Sequence, residues 1–453
     1  MKRKIIAVVL LVAMTLSMIG CGKSSDKTST EESSNNSGSN NSGTETKEQP
    51  EQKTESKERP NVRVLIKWSE EQLPNWKVLV DEYNKDASNP VTIELQYYGS
   101  EGYDDKIKAE LMGDNPPEIV QLMKTTFNEL SANGQLMELK SFISEQGWDY
   151  NKGALAWAGP LNNESGGVYG IPDFANTSCI FYNTKIFDEL DLEIPTDING
   201  LKEVSKKLNE NGYKAIVTGA TNWCATDLLS KVQGQLLGTE LLVDAYNNTA
   251  KYNDPTMVKA MEIVNDLVQA GVIDKSSADY TDDDAIAEFV SGNAAMYSAH
   301  TGMTTPIDSV ADQDFSYNII ETMNFVDNPK TSVAVTWGSM WCIPANVKNQ
   351  EAAKAALAYL WSEEVAKNDV EVLGKIVNVD AWNAGLQHTA LLTASKQLAG
   401  AGSSDSFYLL DMISSKVLDN MNKGIQEMIQ GKVTPQEVLD NVQATWEAEL
   451  QQK

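Results

Sequence analysis

Hydrophobic and polar positions alternate along this chain in two rhythms that take turns. Val62-Arg63-Val64-Leu65-Ile66-Lys67-Trp68 is β-branched with weak alternation and predicts a strand. Leu73 to Lys85 then places Trp76, Leu79, Val80 and Tyr83 at helical spacing. Val91 to Tyr98 alternates cleanly as a second strand, Tyr103 to Met112 is helical, and Gly113-Asp114-Asn115-Pro116-Pro117 stops that helix before the short strand Glu118 to Leu122. The style continues with a helix over Ile198 to Asn209, a strand over Lys214 to Thr218, and helices over Thr256 to Ala270, Asp282 to Val290 and Gln350 to Asn368. A last helix, Thr434 to Leu450, opens with a cap threonine, Pro435 at its first position and Glu437 three residues on, a capping-box pattern. Strands alternating with helices predict an α/β protein with mostly parallel sheets covered by helices on both faces.

The start of the chain is different. Met1-Lys2-Arg3-Lys4 is basic, Ile5 to Ile19 carries no charge, and Met18-Ile19-Gly20-Cys21 follows. This is the pattern of a secretory signal peptide over 1–20, too short for a comfortable membrane span. Its end resembles a bacterial lipobox, which implies cleavage before Cys21, lipidation of that thiol with palmitate-type acyl chains, and anchoring on a membrane. From Gly22 to Pro60 there is no aromatic and no aliphatic side chain. Such a stretch buries too little apolar surface to order itself, so 21–60 is expected to be a disordered tether with an r.m.s. span of about 35 Å. The anticipated location is the outer face of the cell membrane, extracellular.

The chain has 453 residues, and the body after the tether is large enough for two lobes. Its net charge is −27, and −30 once the three cationic leader residues are removed, which argues against nucleic acid as a partner. Beyond Cys21 there are three cysteines, Cys179, Cys224 and Cys342, at no zinc-like spacing. The Asp282-Asp283-Asp284 run is read as a solvated helix start rather than a metal site. Two histidines, His300 and His388, and the absence of His-Glu-x-x-His, Gly-x-Ser-x-Gly or a phosphate-cradling loop leave no catalytic signature. The expectation is a monomeric protein that is not an enzyme, without cofactor or metal.

Ten tryptophans and fifteen tyrosines against nine phenylalanines suit a half-wet cleft that stacks rings on sugar faces. Trp68, with Ser69 and Glu70, ends the first strand, at the edge where parallel sheets place ligands. Trp223 follows a predicted strand, Trp337-Gly338 lies in a small-residue loop, and Trp382 sits in a polar loop. Trp76, Trp148, Trp361 and Trp446 read as core, with Trp157 and Trp341 undecided.

Five segments resemble the extracellular solute-binding proteins of ABC sugar importers. They are Lys106 to Val120, with its helix, Gly113-Asp114-Asn115-Pro116-Pro117-Glu118 and strand; Gly134-Gln135-Leu136-Met137-Glu138-Leu139; Val168-Tyr169-Gly170-Ile171-Pro172-Asp173 with Ile180 to Phe187; Phe289 to Tyr297; and Gly431 to Leu439. The resemblance runs from Val62 to Trp446 and departs at Glu118, where the family usually has Asp. It implies a two-lobed periplasmic-binding-protein-like fold of type II, with lobe 1 over 61–175 plus about 337–375 and lobe 2 over 176–336 plus about 376–453. Hinge strands would cross near Asn176 to Tyr182 and Trp337 to Ile343, which would bring Cys179 and Cys342 within range of a disulfide. The resemblance also implies ligand-facing positions at Lys124, Thr125, Asn176, His300 and Thr301, while Asp173, just after Pro172, and Asp405, Phe407 and Tyr408, in a Gly/Ser loop entering a helix, are candidates by their position. The implied function is capture of a carbohydrate, with an oligosaccharide favoured by the tryptophan count, by cleft closure and delivery to ABC permease subunits. A sensor role, a polyamine or glycerophosphodiester ligand, and a surface-anchored glycosidase remain open alternatives at this point.

Overall fold

The computed structural model describes residues 59–99, 102–161, 166–331, 333–400 and 413–451. Cys21, the tether as far as residue 58, Asp405, Phe407 and Tyr408 lie outside the described residues. Among the described residues eleven strands form two sheets: β1 Asn61–Ile66, β2 Thr92–Tyr97, β3 Ile119–Leu122, β4 Ile171–Pro172, β5 Phe174–Asn183, β6 Lys214–Val217, β7 Ala294–His300, β8 Tyr317–Ile319, β9 Val335–Thr336, β10 Met340–Cys342 and β11 Ile376–Val377.

The first sheet has the order β2-β1-β3-β10-β4. Val62, Val64, Leu65 and Ile66 of β1 are fully buried, so this strand is covered on both faces, as a central parallel strand must be. One cover is the helix Pro74–Lys85, whose Trp76, Val80 and Tyr83 face inward while Lys77 pairs with Asp81 outside. Trp76, Trp341 and Trp361 pack against one another with ring centroids 4.8 to 5.3 Å apart, which makes Trp341 a core residue.

The second sheet runs β11-β5-β7-β6, with β8 and β9 also on β5. Here the expectation of a mostly parallel sheet needs correction: only β6–β7 is parallel, and β5 pairs antiparallel with β7, β8, β9 and β11. A parallel neighbour requires a crossover that returns the chain to its starting edge. The strand β5 instead enters straight from β4 in the first sheet, with only Asp173 between them.

The chain passes between the sheets at Asp173, between Thr336 and Met340, and between the helix Glu363–Leu373 and β11. The first passage therefore lies three residues before the expected Asn176, and β5 beyond it belongs to the second sheet. Thr336 pairs with Asn176, so the passages lie side by side.

Local signals account for most of the helix ends. The Thr434–Glu437 capping box forms in both directions (2.8 and 3.3 Å). Asp284 makes another with Thr281, so the acidic run caps a helix. Among the described residues no cluster of three or more His, Cys, Asp or Glu is arranged to hold a metal ion. The single helix expected over Gln350 to Asn368 is two, Gln350–Leu360 and Glu363–Leu373. Ser362 caps the second through the Val365 amide, and Glu363 and Glu364 favour a fresh N-terminus there. Cys179, Cys224 and Cys342 are all free and buried, so the disulfide implied by the resemblance is not formed.

Candidate functional site

The passage between the sheets is tied by one buried knot. The Asp173 amide donates to the Ser339 carbonyl (3.0 Å), and the Ser339 amide donates back to Asp173 Oδ1 (2.8 Å). Phe174 N also donates to Oδ1 (2.7 Å), while Ser339 Oγ and Gln121 Nε2 donate to Oδ2. Burial pushes the Asp173 carboxyl above its usual range, and these donors oppose that rise. Both carboxylate oxygens are therefore in use, and the expectation that Asp173 faces a ligand is corrected: it pins the hinge. Gly338 belongs to the same knot, because its φ is +73° and a Cβ there would meet Asp173 Oδ1 at 1.9 Å. Gln121 extends the knot toward β1, where its Oε1 accepts from Lys67 N (2.9 Å) and Trp68 N (3.4 Å). The loop of Trp68, half-buried Ser69 and exposed Glu70 is thus wired to the hinge.

A second group gathers at the end of β7. Trp223 opens the helix Trp223–Leu237 and stacks on His300 at 4.5 Å and 26°. His300 Nδ1 accepts the Gly302 amide (2.9 Å), which places the ring proton on Nε2. Burial lowers its pKa to about 4, so the ring is neutral at physiological pH. Asn176 lies beside it, since a Cβ on Gly302 would touch both the His300 ring and Asn176 Oδ1. Thr301 is buried and stitches this turn to β5, its Oγ1 accepting Thr177 N at 3.0 Å. Beneath lies a buried ion pair that the sequence reading missed, Asp227 with Lys231, one turn apart on the same helix. Ser178 Oγ donates to Asp227 (2.7 Å), and Lys231 also donates to the Ala299 carbonyl (3.3 Å). The available signal was two opposite charges four residues apart in an otherwise uncharged helix.

Other expected positions fall elsewhere. Lys124 is 1% exposed, and its ammonium donates to the carbonyls of Trp157 and Gly159 while lying 4.5 Å from the Trp157 ring centre. It is an internal strut, which corrects its expected place on the cleft surface. Thr125, the next residue, does reach across, donating to the Ile413 carbonyl (3.4 Å). Trp337 is buried beside the hinge, with an indole N–H that has no partner. Trp382 is half-buried and lines a narrow crevice with Tyr150, Asp173, Asp369 and Asn378.

That crevice predicts a pH dependence. Asp369 is buried and accepts from Asn75 Nδ2 (2.6 Å) and Trp76 Nε1 (3.0 Å), yet burial raises its pKa to about 7, against Lys375, which acts to lower it. Between about pH 4 and 7 the folded chain keeps a proton that the unfolded chain has lost, so stability falls as pH rises through this window. Asp173 adds a slope of the same sign. Asp369→Asn is expected to flatten the profile and to be more stable than the unmodified protein at pH 8, as read from urea midpoints between pH 4.5 and 8.

Comparison with known proteins places this architecture. The diacetylchitobiose binding protein DasA of Streptomyces coelicolor is 22% identical over 414 residues, covering 89% of this chain and 88% of that protein. The alpha-glucosides-binding periplasmic protein AglE of Rhizobium meliloti is 25% identical over 207 residues, 42% of this chain and 45% of that one. A solved chitin oligosaccharide binding protein superposes with a TM-score of 0.70 at 18% identity, covering 86% of this chain and 98% of its own. Structural neighbours of this kind are two-lobed solute-binding proteins, and this chain has their fold. The family model described as bacterial extracellular solute-binding protein matches residues 78–379, and the chain belongs to that family.

Proposed function

We propose that the protein captures an extracellular oligosaccharide in the cleft between its two lobes and presents it to the permease of an ABC importer. Lobe 1 comprises 61–173 with about 337–375, and lobe 2 comprises 174–336 with about 376–453. The mature chain hangs from a lipid on Cys21 at the outer membrane face, with the tether giving it reach. The observation that carries this reading is the Trp223–His300 stack beside Asn176: a neutral aromatic platform next to an amide, the equipment that grips a pyranose by its C–H face and its hydroxyl belt. The names of the relatives point the same way. Closure would turn on the Asp173–Ser339 knot, and ligand contacts made only in the closed form would shift the equilibrium. Trp68, Ser69, Glu70, Thr125 and Trp337 are proposed to complete the contacts, with Trp382 at the hinge side.

The test is tryptophan fluorescence and thermal shift of the mature chain against N,N′-diacetylchitobiose, xylobiose, maltose, spermidine and glycerophosphocholine. Ligand at a hundredfold excess over Kd adds about 2.7 kcal/mol to stability. A shift with one glycan that is recovered uncleaved supports the reading. A shift with spermidine or glycerophosphocholine alone, or cleavage of the glycan, overturns it. Trp223→Ala is expected to weaken glycan binding at least tenfold, about 1.4 kcal/mol, with little change in melting temperature.

A further inference from the structure

Asn128 lies in the helix Lys124–Ala132, is 4% exposed, and has no hydrogen-bond partner on either Nδ2 or Oδ1. A buried amide stripped of water on both atoms is costly, and native interiors rarely leave one so. Two other buried polar groups of this helix are served: Lys124 donates to two carbonyls and Ser131 Oγ donates to the Phe127 carbonyl (2.7 Å).

The position of Asn128 says what would serve it. Thr125, one turn earlier on the same helix face, touches the Ile413 carbonyl across the lobe junction. Glu129, the next residue, acts electrostatically on Tyr246, which stacks on Trp446 in the second lobe. One edge of this helix, at Thr125, therefore lies at the lobe junction. Asn128 also lies one turn after Lys124, whose ammonium sits over Trp157, and Trp157 Nε1 is a second buried donor without a partner. Two unanswered donors and an unanswered acceptor thus belong to one corner of lobe 1.

We infer that Asn128 is a specificity-determining ligand residue, with Trp157 Nε1 as its companion donor, and that the ligand meets them with a neutral donor–acceptor group. A carboxylate or phosphate would leave Oδ1 unmatched, and an ammonium would leave Nδ2 and the indole N–H unmatched. Saccharide hydroxyls and a saccharide acetamido group both match. The inference rests on the oligosaccharide reading above and adds to it the atoms that read the ligand's polar edge.

Isothermal titration of the unmodified protein, Asn128→Leu and Asn128→Asp with N,N′-diacetylchitobiose and with xylobiose tests it. Asn128→Leu is expected to bind at least tenfold more weakly while melting at the same or a higher temperature, because an unserved amide has been replaced by an apolar group. Asn128→Asp, nearly the same shape, keeps the assay available should leucine not fit. It is expected to bind weakly at pH 7.5 and to recover as pH falls and the carboxyl regains a donor. A loss confined to N,N′-diacetylchitobiose assigns the contact to an acetamido group, and an equal loss for both sugars assigns it to hydroxyls. Unchanged affinity in both variants, with the unmodified protein binding normally, overturns the inference alone. An unmodified protein that binds no glycan overturns the oligosaccharide reading beneath it.

Discussion

Gly338→Ala is expected to destabilise the protein by roughly 3 kcal/mol or more. About 1 kcal/mol comes from placing a side chain at a φ of +73°. The rest comes from displacement. A Cβ at this position would lie 1.9 Å from Asp173 Oδ1 and 2.6 Å from the Phe174 carbonyl, and the second of these is backbone. Asp173 would have to swing away from the Ser339 and Phe174 amides, and each buried group left unpaired costs about 1–3 kcal/mol. Gly292→Ala provides the control, since Gly292 has a similar φ of +77° with nothing within 4 Å of the added carbon. Urea denaturation of the two variants decides the matter. Equal losses would mean that the knot is loose and that Asp173 does not hold the passage between the lobes. A large loss confined to Gly338→Ala should be accompanied by weaker ligand binding, because the same knot ties Trp68 through Gln121 to the hinge.

The second large effect is expected at Lys231. Asp227 is fully buried and Lys231 is 6% exposed, so Lys231→Met strands a carboxylate whose remaining donor is the Ser178 hydroxyl. Breaking a buried pair on one side costs about 3–5 kcal/mol, whereas replacing both partners with apolar groups of similar volume is often close to neutral. Asp227→Leu/Lys231→Met should therefore recover much of the stability lost by the single change, and the double-mutant cycle measures the coupling. The consequence reaches the platform. Lys231 depresses the His300 pKa and Asp227 raises it, so Lys231→Met moves that pKa upward from about 4. A folded-state value below the unfolded one means acid destabilises the fold as pH falls toward it, and the variant should show this less steeply. Titration of the His300 ring protons by NMR reads the shift directly, and an unmoved titration would show that the pair does not act on the platform.

The segments that were legible in the sequence, and their ends, were written by neighbours within a turn or two. The Thr434–Glu437 box, the start of the helix at Pro255 and the acidic cap at Thr281 are local arrangements, and the chain writes them locally. The fold class followed from the alternation of strand and helix, but the antiparallel character of the second sheet did not, because pairing direction depends on where a strand enters. The helix break at Ser362 lay within reach of sequence reasoning, and the alanine-rich pattern on its N-terminal side hid it.

Side-chain destinations were another matter. Asp173, Lys124 and Trp337 have the composition of ligand contacts and sit where the chain turns toward the cleft, yet two of them are consumed by the structure itself. Asp173 is claimed by Ser339, 166 residues away, and by Gln121, 52 residues away. Lys124 is claimed by carbonyls 33 and 35 residues on. Asn128 drew no notice because an asparagine in a polar helical stretch is ordinary until burial removes its water. What the sequence determined by itself was the alternation of strands and helices, the caps of the helices it revealed and the acidic charge of the chain, since periodicity and capping act over a few residues. What only the tertiary structure decided was which polar groups are already satisfied and which are left waiting, because hydrogen-bond satisfaction in a desolvated interior is settled by partners that the chain brings from far away.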